Sequence, residues 1–178
     1  MYGQKGNMKG YVHVYTGNGK GKTTAALGLI VRACGAGLRV YLGQFIKKRH
    51  YSEIKTLKDR FPEVTIEQYG RGCFIKGKPS PQDIKAAQDG MKKLRKAMLS
   101  GKHDIVIADE ANIAVSFDLF PVEDIIRLID EKPENVELIL TGRGAHRRLI
   151  DRADLVTEMK DIKHYLDKGV ASRRGIES

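Results

Sequence analysis

"TGNGKGKTT", residues 16–24, decides the fold, because it holds nearly all of a phosphate-binding loop yet sets it one residue too tight. The general pattern is G-x-x-x-x-G-K-[ST]. Counting back from Gly21-Lys22-Thr23 puts Thr16 where the first glycine belongs, and the glycine follows at Gly17. Gly17, Gly19 and Gly21 let the backbone turn N–H groups inward, and Lys22 adds a mobile positive charge. Thr23 opens a helix and offers a hydroxyl to Mg2+ and a positive dipole end to phosphate. An apolar, β-branched run (11–17) precedes the loop and an apolar helical stretch, "KTTAALGLIVRAC", follows it. That order separates a nucleotide cradle from a glycine-rich turn that merely joins two elements.

Working outward, five more runs read as buried strands: residues 39–47, 64–70, 103–110, 136–143 and 155–160. Helical stretches lie between them. The one after the loop is apolar on nearly every face, which predicts burial against a sheet, and it stops at Gly35 or Gly37. "SPQDIKAAQDGMKKLRKAML" opens with Ser80 as N-cap and Pro81 in the first turn, and shorter helices follow in "PVEDIIRLIDEK" and "AHRRLIDRA". Strand–helix alternation predicts an α/β domain with a mostly parallel central sheet. The 178 residues suit one domain, residues 1–178, with 1–9 and 161–178 as flexible segments. Residues 47–62 and the tail after Lys160 are expected to be the most mobile.

Two further stretches carry chemistry at strand ends. "DIVIADE" delivers Asp109 and Glu110 to the carboxyl end of a strand, where a carboxylate can hold Mg2+ opposite the Thr23 hydroxyl. Which of the two touches the metal stays open. "LTGRGAH" ends a strand in Thr141-Gly142-Arg143, and Arg143 suits phosphate. Arg32, nine residues past Thr23, either reaches the nucleotide or pairs with an acid. Cys73, in "GRGCFIKG", lies beyond a strand end and is a candidate to face a ligand. The five histidines show no ligand spacing, which argues against zinc.

The formal net charge is +10, with basic clusters at 47–51, 92–98, 146–148 and 172–175. None is interleaved with aromatics as a strand-binding groove would be, so a solvated basic surface around a polyanion site is preferred to a nucleic-acid interface. No apolar run approaches the ~18 residues of a membrane span. With no secretory h-region and two cysteines outside any C-x-x-C pair, the expectation is a cytoplasmic protein with reduced thiols.

"TGNGKGKTTAALG", "QFIK", the Asp-Glu pair, "TGRGAHRRLIDRADLVTEM" and "KHYLDKGVASRRGIE" together resemble the ATP:cob(I)alamin adenosyltransferases of the bacterial CobA/BtuR/CobO type, in order from about residue 10 to 177. The resemblance implies a RecA-like P-loop fold and a homodimer. It implies transfer of the 5′-deoxyadenosyl group of ATP to Co(I) of a corrinoid, with release of inorganic triphosphate. It also implies Mg2+ and a reductase or flavodoxin-type electron donor. By that resemblance Gly17, Asn18, Gly19, Lys20, Gly21, Lys22, Thr23 and Thr24 carry ATP, with Arg32 and Arg143 as further candidates. Lys22, Thr23 and Glu110 become the catalytic set, and Thr23 and Glu110 the metal ligands, with Asp109 open. Relatives carry a Gly-Phe-Thr-Trp segment against the corrin ring, whereas this chain has Gly72-Cys73-Phe74-Ile75. Cys73 and Phe74 are therefore the corrin-contact candidates. Two rival classes are a RecA-like ATPase acting on nucleic acid and a nucleotide switch without turnover. A GTPase is disfavoured by the lack of an N-K-x-D segment.

Overall fold

The computed structural model describes residues 9–46, 51–72 and 77–177. Six strands are named here in chain order: β1 (Val12–Thr16), β2 (Val40–Gln44), β3 (Val64–Gln68), β4 (Ile105–Asp109), β5 (Glu137–Thr141) and β6 (Leu155–Glu158). They form one sheet, parallel throughout, in the order β3-β2-β4-β5-β1-β6. β2 and β4 are buried at every position, which is why they read as unbroken apolar runs rather than as alternation. β6, at the edge, is exposed at all four positions.

Helices cover both faces. One face takes α1 (Lys22–Gly35) and α2 (Ser52–Arg60), whose Ala26, Ile30, Ile54 and Leu57 meet Val40, Leu42 and Ile107 of the sheet. The other takes α3 (Pro81–Leu99), α4 (Ala111–Ser116), α5 (Val122–Asp130) and α6 (Arg147–Ile150) over Val14, Val106 and Leu138. Ser80 caps α3 in a reciprocal box with Asp83, and Pro81 follows it, as the sequence predicts. Tyr69 reaches from the end of β3 into a slot that only small residues allow. A Cβ on Gly43 or Gly90 would lie 2.9 or 2.3 Å from its ring.

Three features add detail to the expectations. α1 is not buried all round: Lys22, Ala26, Ile30 and Ala33 form one inward stripe, while Val31 is 51% exposed. Its left-handed stop falls at Gly37, and Leu38 N–H returns to the Ala33 carbonyl at 3.0 Å. Within the segment 47–62, residues 52–60 form α2, which anchors through Ile54 and Leu57. The tail also has structure, with a short 3-10 turn at Tyr165–Lys168 and a path that returns to the phosphate loop. No helix among the described residues is long and apolar enough to cross a membrane.

Strand order matters for chemistry. β5 separates the loop strand β1 from the carboxylate strand β4, and register puts Gln44 beside both Gln68 and Asp109. Tyr15 stands beside Thr141, and Thr16 beside Glu158. The polar ends of five apolar strands thus line up along the carboxyl edge of the sheet, where open α/β sheets bind ligands.

Candidate functional site

The phosphate loop leaves β1 at Thr16 and enters α1 at Lys22. It is packed against the residue that follows β6. Gly19 N–H donates to the Met159 carbonyl at 2.7 Å, and Met159 N–H donates to the Thr16 carbonyl at 2.9 Å. A Cβ at Gly17 or Gly19 would sit 2.3 or 2.7 Å from that same Met159 oxygen, so no side chain fits at either. Gly21, at φ +119°, then turns the chain into the helix. α1 has no side-chain N-cap and no acidic residue in its first turn, which leaves its N-terminal dipole suited to an anion. Lys22, only 9% exposed, donates through Nζ to the carbonyls of Gly17 (2.7 Å) and Gly19 (2.6 Å).

Asp109 and Glu110 take different positions. Asp109 is fully buried. Its Oδ1 accepts from the hydroxyls of Thr141 (2.6 Å) and Thr23 (3.0 Å), and its Oδ2 accepts from Gln44 Nε2 (3.0 Å). Gln68 in turn donates to Gln44 at 2.9 Å. Glu110 is half-buried and lines the open cavity, with its backbone in the left-handed region at φ +61°. A left-handed non-glycine residue of this kind stores strain that surrounding structure must hold. Here Glu110 N–H donates to Thr141 Oγ1 at 3.0 Å, and the chain passes directly into α4.

The Thr23 hydroxyl and the Glu110 carboxylate make an all-oxygen donor set, which suits a hard cation such as Mg2+ rather than a soft metal. No group of three or more His, Cys, Asp or Glu side chains among the described residues makes a closed cage. The set fits an ion that completes its shell with phosphate oxygens and water.

Arg143 follows Gly142, whose φ is +130° and whose carbonyl accepts from the buried Asn112 Nδ2 at 3.1 Å. The exposed arginine lines the same cavity as the loop. That cavity, of about 700 Å³, is bounded by Asn18 to Thr24 on one side and by Glu110, Ile113 and Arg143 on another. Leu27 and Tyr51 add apolar lining. A further wall is the tail, through Asp161, His164, Leu166, Asp167 and Gly175–Glu177.

A latch holds the tail in place. Lys20 Nζ donates to Glu177 Oε1 at 2.8 Å and to Tyr165 Oη at 3.0 Å. Tyr165 also donates to Glu177, and the Arg173 guanidinium lies 4.9 Å from the Tyr165 ring centre. Hydrogen bonds from Arg173, then Lys20 and Tyr165, hold the Glu177 carboxyl well below its usual range. The bond to Glu177, followed by that to Tyr165, raises Lys20 above its own.

The structure therefore brings together Asn18 to Thr24, Glu110 and Arg143, with Asp109 beneath Thr23 and Gly17 beneath the loop. It does not bring Arg32 to them. Arg32 stands exposed in the last turn of α1, about 15 Å along the axis from Lys22. Cys73 and Phe74 lie outside the described residues. Sequence reasoning gave no site role to Gln44, Gln68 or Asn112, and it named Thr16 and Thr141 by position without assigning them a partner. The signal for Gln44 and Thr141 was a polar residue closing an otherwise apolar run.

Residues 8–178 match the model of the family described as ATP:corrinoid adenosyltransferase BtuR/CobO/CobP. The chain is 33% identical over 174 residues to the corrinoid adenosyltransferase of Escherichia coli strain K12, covering 98% of this chain and 88% of that one. It is 35% identical over 173 residues to the corrinoid adenosyltransferase CobA of Salmonella typhimurium strain LT2, covering 95% and 86%. Among solved structures, the RadB recombinase superposes with a TM-score of 0.55 at 14% identity, covering 88% of this chain and 77% of that one. That last likeness concerns the fold, which is RecA-like.

Proposed function

Because the chain belongs to the ATP:corrinoid adenosyltransferase family, we propose that it transfers the 5′-deoxyadenosyl group of ATP to Co(I) of a corrinoid and releases inorganic triphosphate. The observation that carries this reading is the convergence on one cavity of the phosphate loop with Thr23, of Glu110 and of Arg143, with Asp109 holding Thr23 from below.

In the proposed step the Co(I) centre of the substrate supplies the electron pair that forms the cobalt–carbon bond. The C5′–O5′ bond breaks, and its pair leaves on the triphosphate. The nucleophile carries no proton, so no side chain has to act as a base. The protein's work is placement and charge neutralisation. Lys22 exchanges its two loop carbonyls for phosphate oxygens. The first N–H groups of α1 and the Arg143 guanidinium hold the remaining charge. Mg2+ would be held by Thr23 and Glu110 together with phosphate, and would supply further stabilisation of the leaving triphosphate. Asp109, which accepts the Thr23 and Thr141 hydroxyls from below, orients the threonine rather than facing the cavity. Leu27, Tyr51, Ile113, Leu166 and Ile176 give the cavity apolar surface that helps exclude water.

The proposal includes a reductase or flavodoxin-type donor that brings the cobalt to Co(I), a cytoplasmic setting and a homodimer. Support for the dimer is the edge strand β6, where Leu155 and Val156 are 44% and 40% exposed. The nucleic-acid ATPase reading is disfavoured by the near full-length match to the transferase family. Anaerobic incubation with ATP and chemically reduced cobalamin is the test. Growth of the alkyl-cobalt absorption spectrum, dependent on both protein and ATP, is expected. Its absence with folded protein would overturn the assignment.

A further inference from the structure

The opening anomaly of the sequence, a threonine where a phosphate loop has its first glycine, has a counterpart in the structure. Thr16 is only 7% exposed, and its Oγ1 accepts the backbone N–H of Ala145 at 3.1 Å. Ala145 belongs to the turn that carries Arg143. The same turn is held at its start by Gly142, whose N–H donates to the Tyr15 carbonyl at 3.1 Å and whose own carbonyl accepts from Asn112. Arg143 therefore projects into the cavity from a segment tied on both sides, by Tyr15 and Asn112 before it and by Thr16 after it. Gly142 at φ +130° and Gly144 at φ +62° leave the backbone between those ties otherwise free to turn. A glycine at position 16 would offer no acceptor and would leave the Ala145 N–H without this bond.

We propose that Thr16 is a positioning residue for the nucleotide: its hydroxyl locks the Arg143 turn to the phosphate loop, so that loop and arginine grip the same triphosphate as one unit. The proposal rests on Arg143 contacting phosphate. Thr16 itself is not among the residues that line the cavity. The consequence is specific. Loss of the hydroxyl weakens the hold on ATP through Arg143 and leaves the corrinoid side of the reaction alone.

The test compares Thr16→Val, which keeps shape and removes the acceptor, with Thr16→Ser, which keeps the acceptor. Each is made alone and in an Arg143→Ala background, and KM for ATP and kcat are measured at saturating reduced cobalamin. Thermal midpoints are recorded alongside, and Thr16→Ala replaces the valine variant if that one does not fold. Thr16→Val is expected to raise KM for ATP roughly three- to tenfold, as befits one buried hydrogen bond. Thr16→Ser should restore it, KM for the corrinoid should not move, and the valine change should add nothing once Arg143 is gone. If Arg143→Ala raises KM for ATP but Thr16→Val does not, or if the valine loss is unchanged in the Arg143→Ala background, the positioning role is overturned and the arginine reading stands. A normal KM in Arg143→Ala would overturn the phosphate contact itself, and the positioning role with it.

Discussion

Lys22 and the Asp109–Glu110 pair separate what the site needs for chemistry from what it needs for shape. Lys22 donates to two carbonyls of its own loop, those of Gly17 and Gly19. Lys22→Ala is expected to stay folded, with a thermal midpoint near that of the unsubstituted chain, and to lose about two orders of magnitude or more in ATP affinity, measured by calorimetry. The two carboxylates should respond in opposite ways. Glu110→Gln faces the cavity and is expected to raise the Mg2+ concentration needed for half-maximal rate with little change in midpoint. Asp109→Asn presents an amide NH2 to a ring of donors from Thr23, Thr141 and Gln44, and should lower stability by about 1–3 kcal/mol in denaturant titration. A midpoint drop in Glu110→Gln with Asp109→Asn unchanged would reverse the two roles. At this scale the loop was legible because glycine, lysine and threonine at fixed spacing have few other uses. Gln44 and Thr141 were not, since one polar residue at the end of an apolar strand looks the same whether it faces solvent or a buried carboxylate.

Among the elements, the tail and α2 were the least legible in the sequence, and for one physical reason. Both are charged segments with few apolar anchors, so periodicity says little about them. α2 has only Ile54 and Leu57 buried, and the tail has no buried residue in its 3-10 turn. The tail is fixed instead by polar contacts to the loop, which composition cannot reveal. Glu177→Gln is expected to speed amide exchange across residues 161–177 in the nucleotide-free protein, while exchange in β1, β4 and β5 stays unchanged. Equal tail exchange in both proteins would remove Glu177 as the latch. The pH dependence has a defined sign. Glu177 is held below its ordinary range, so its contribution is fully present above the unfolded carboxylate pKa, about 4.3. That contribution is lost as pH falls toward the lowered folded value. Tail protection should therefore persist at neutral and mildly acid pH and fade only below that range. In contrast, the six strands and α3 were readable because their apolar runs and caps act locally.

For the whole molecule, alternation of strand and helix was enough to foresee a parallel α/β sheet, but not the order β3-β2-β4-β5-β1-β6. That order is a long-range outcome of which helices cover which face. It is what brings Asp109 under Thr23 across the intervening β5. Nor did spacing reveal what the loop packs against. The Met159 backbone, 140 residues on from Gly19, lies directly against the loop and leaves no room for a side chain at Gly17 or Gly19. The central claim is that this cradle presents C5′ of ATP, not its γ phosphorus, to the incoming nucleophile. Phosphorus NMR of an anaerobic reaction with ATP and reduced cobalamin tests it most directly. The account predicts inorganic triphosphate in one-to-one proportion to alkylated corrinoid, with no matching ADP. ADP and orthophosphate as the main products, formed whether or not corrinoid is present, would contradict it.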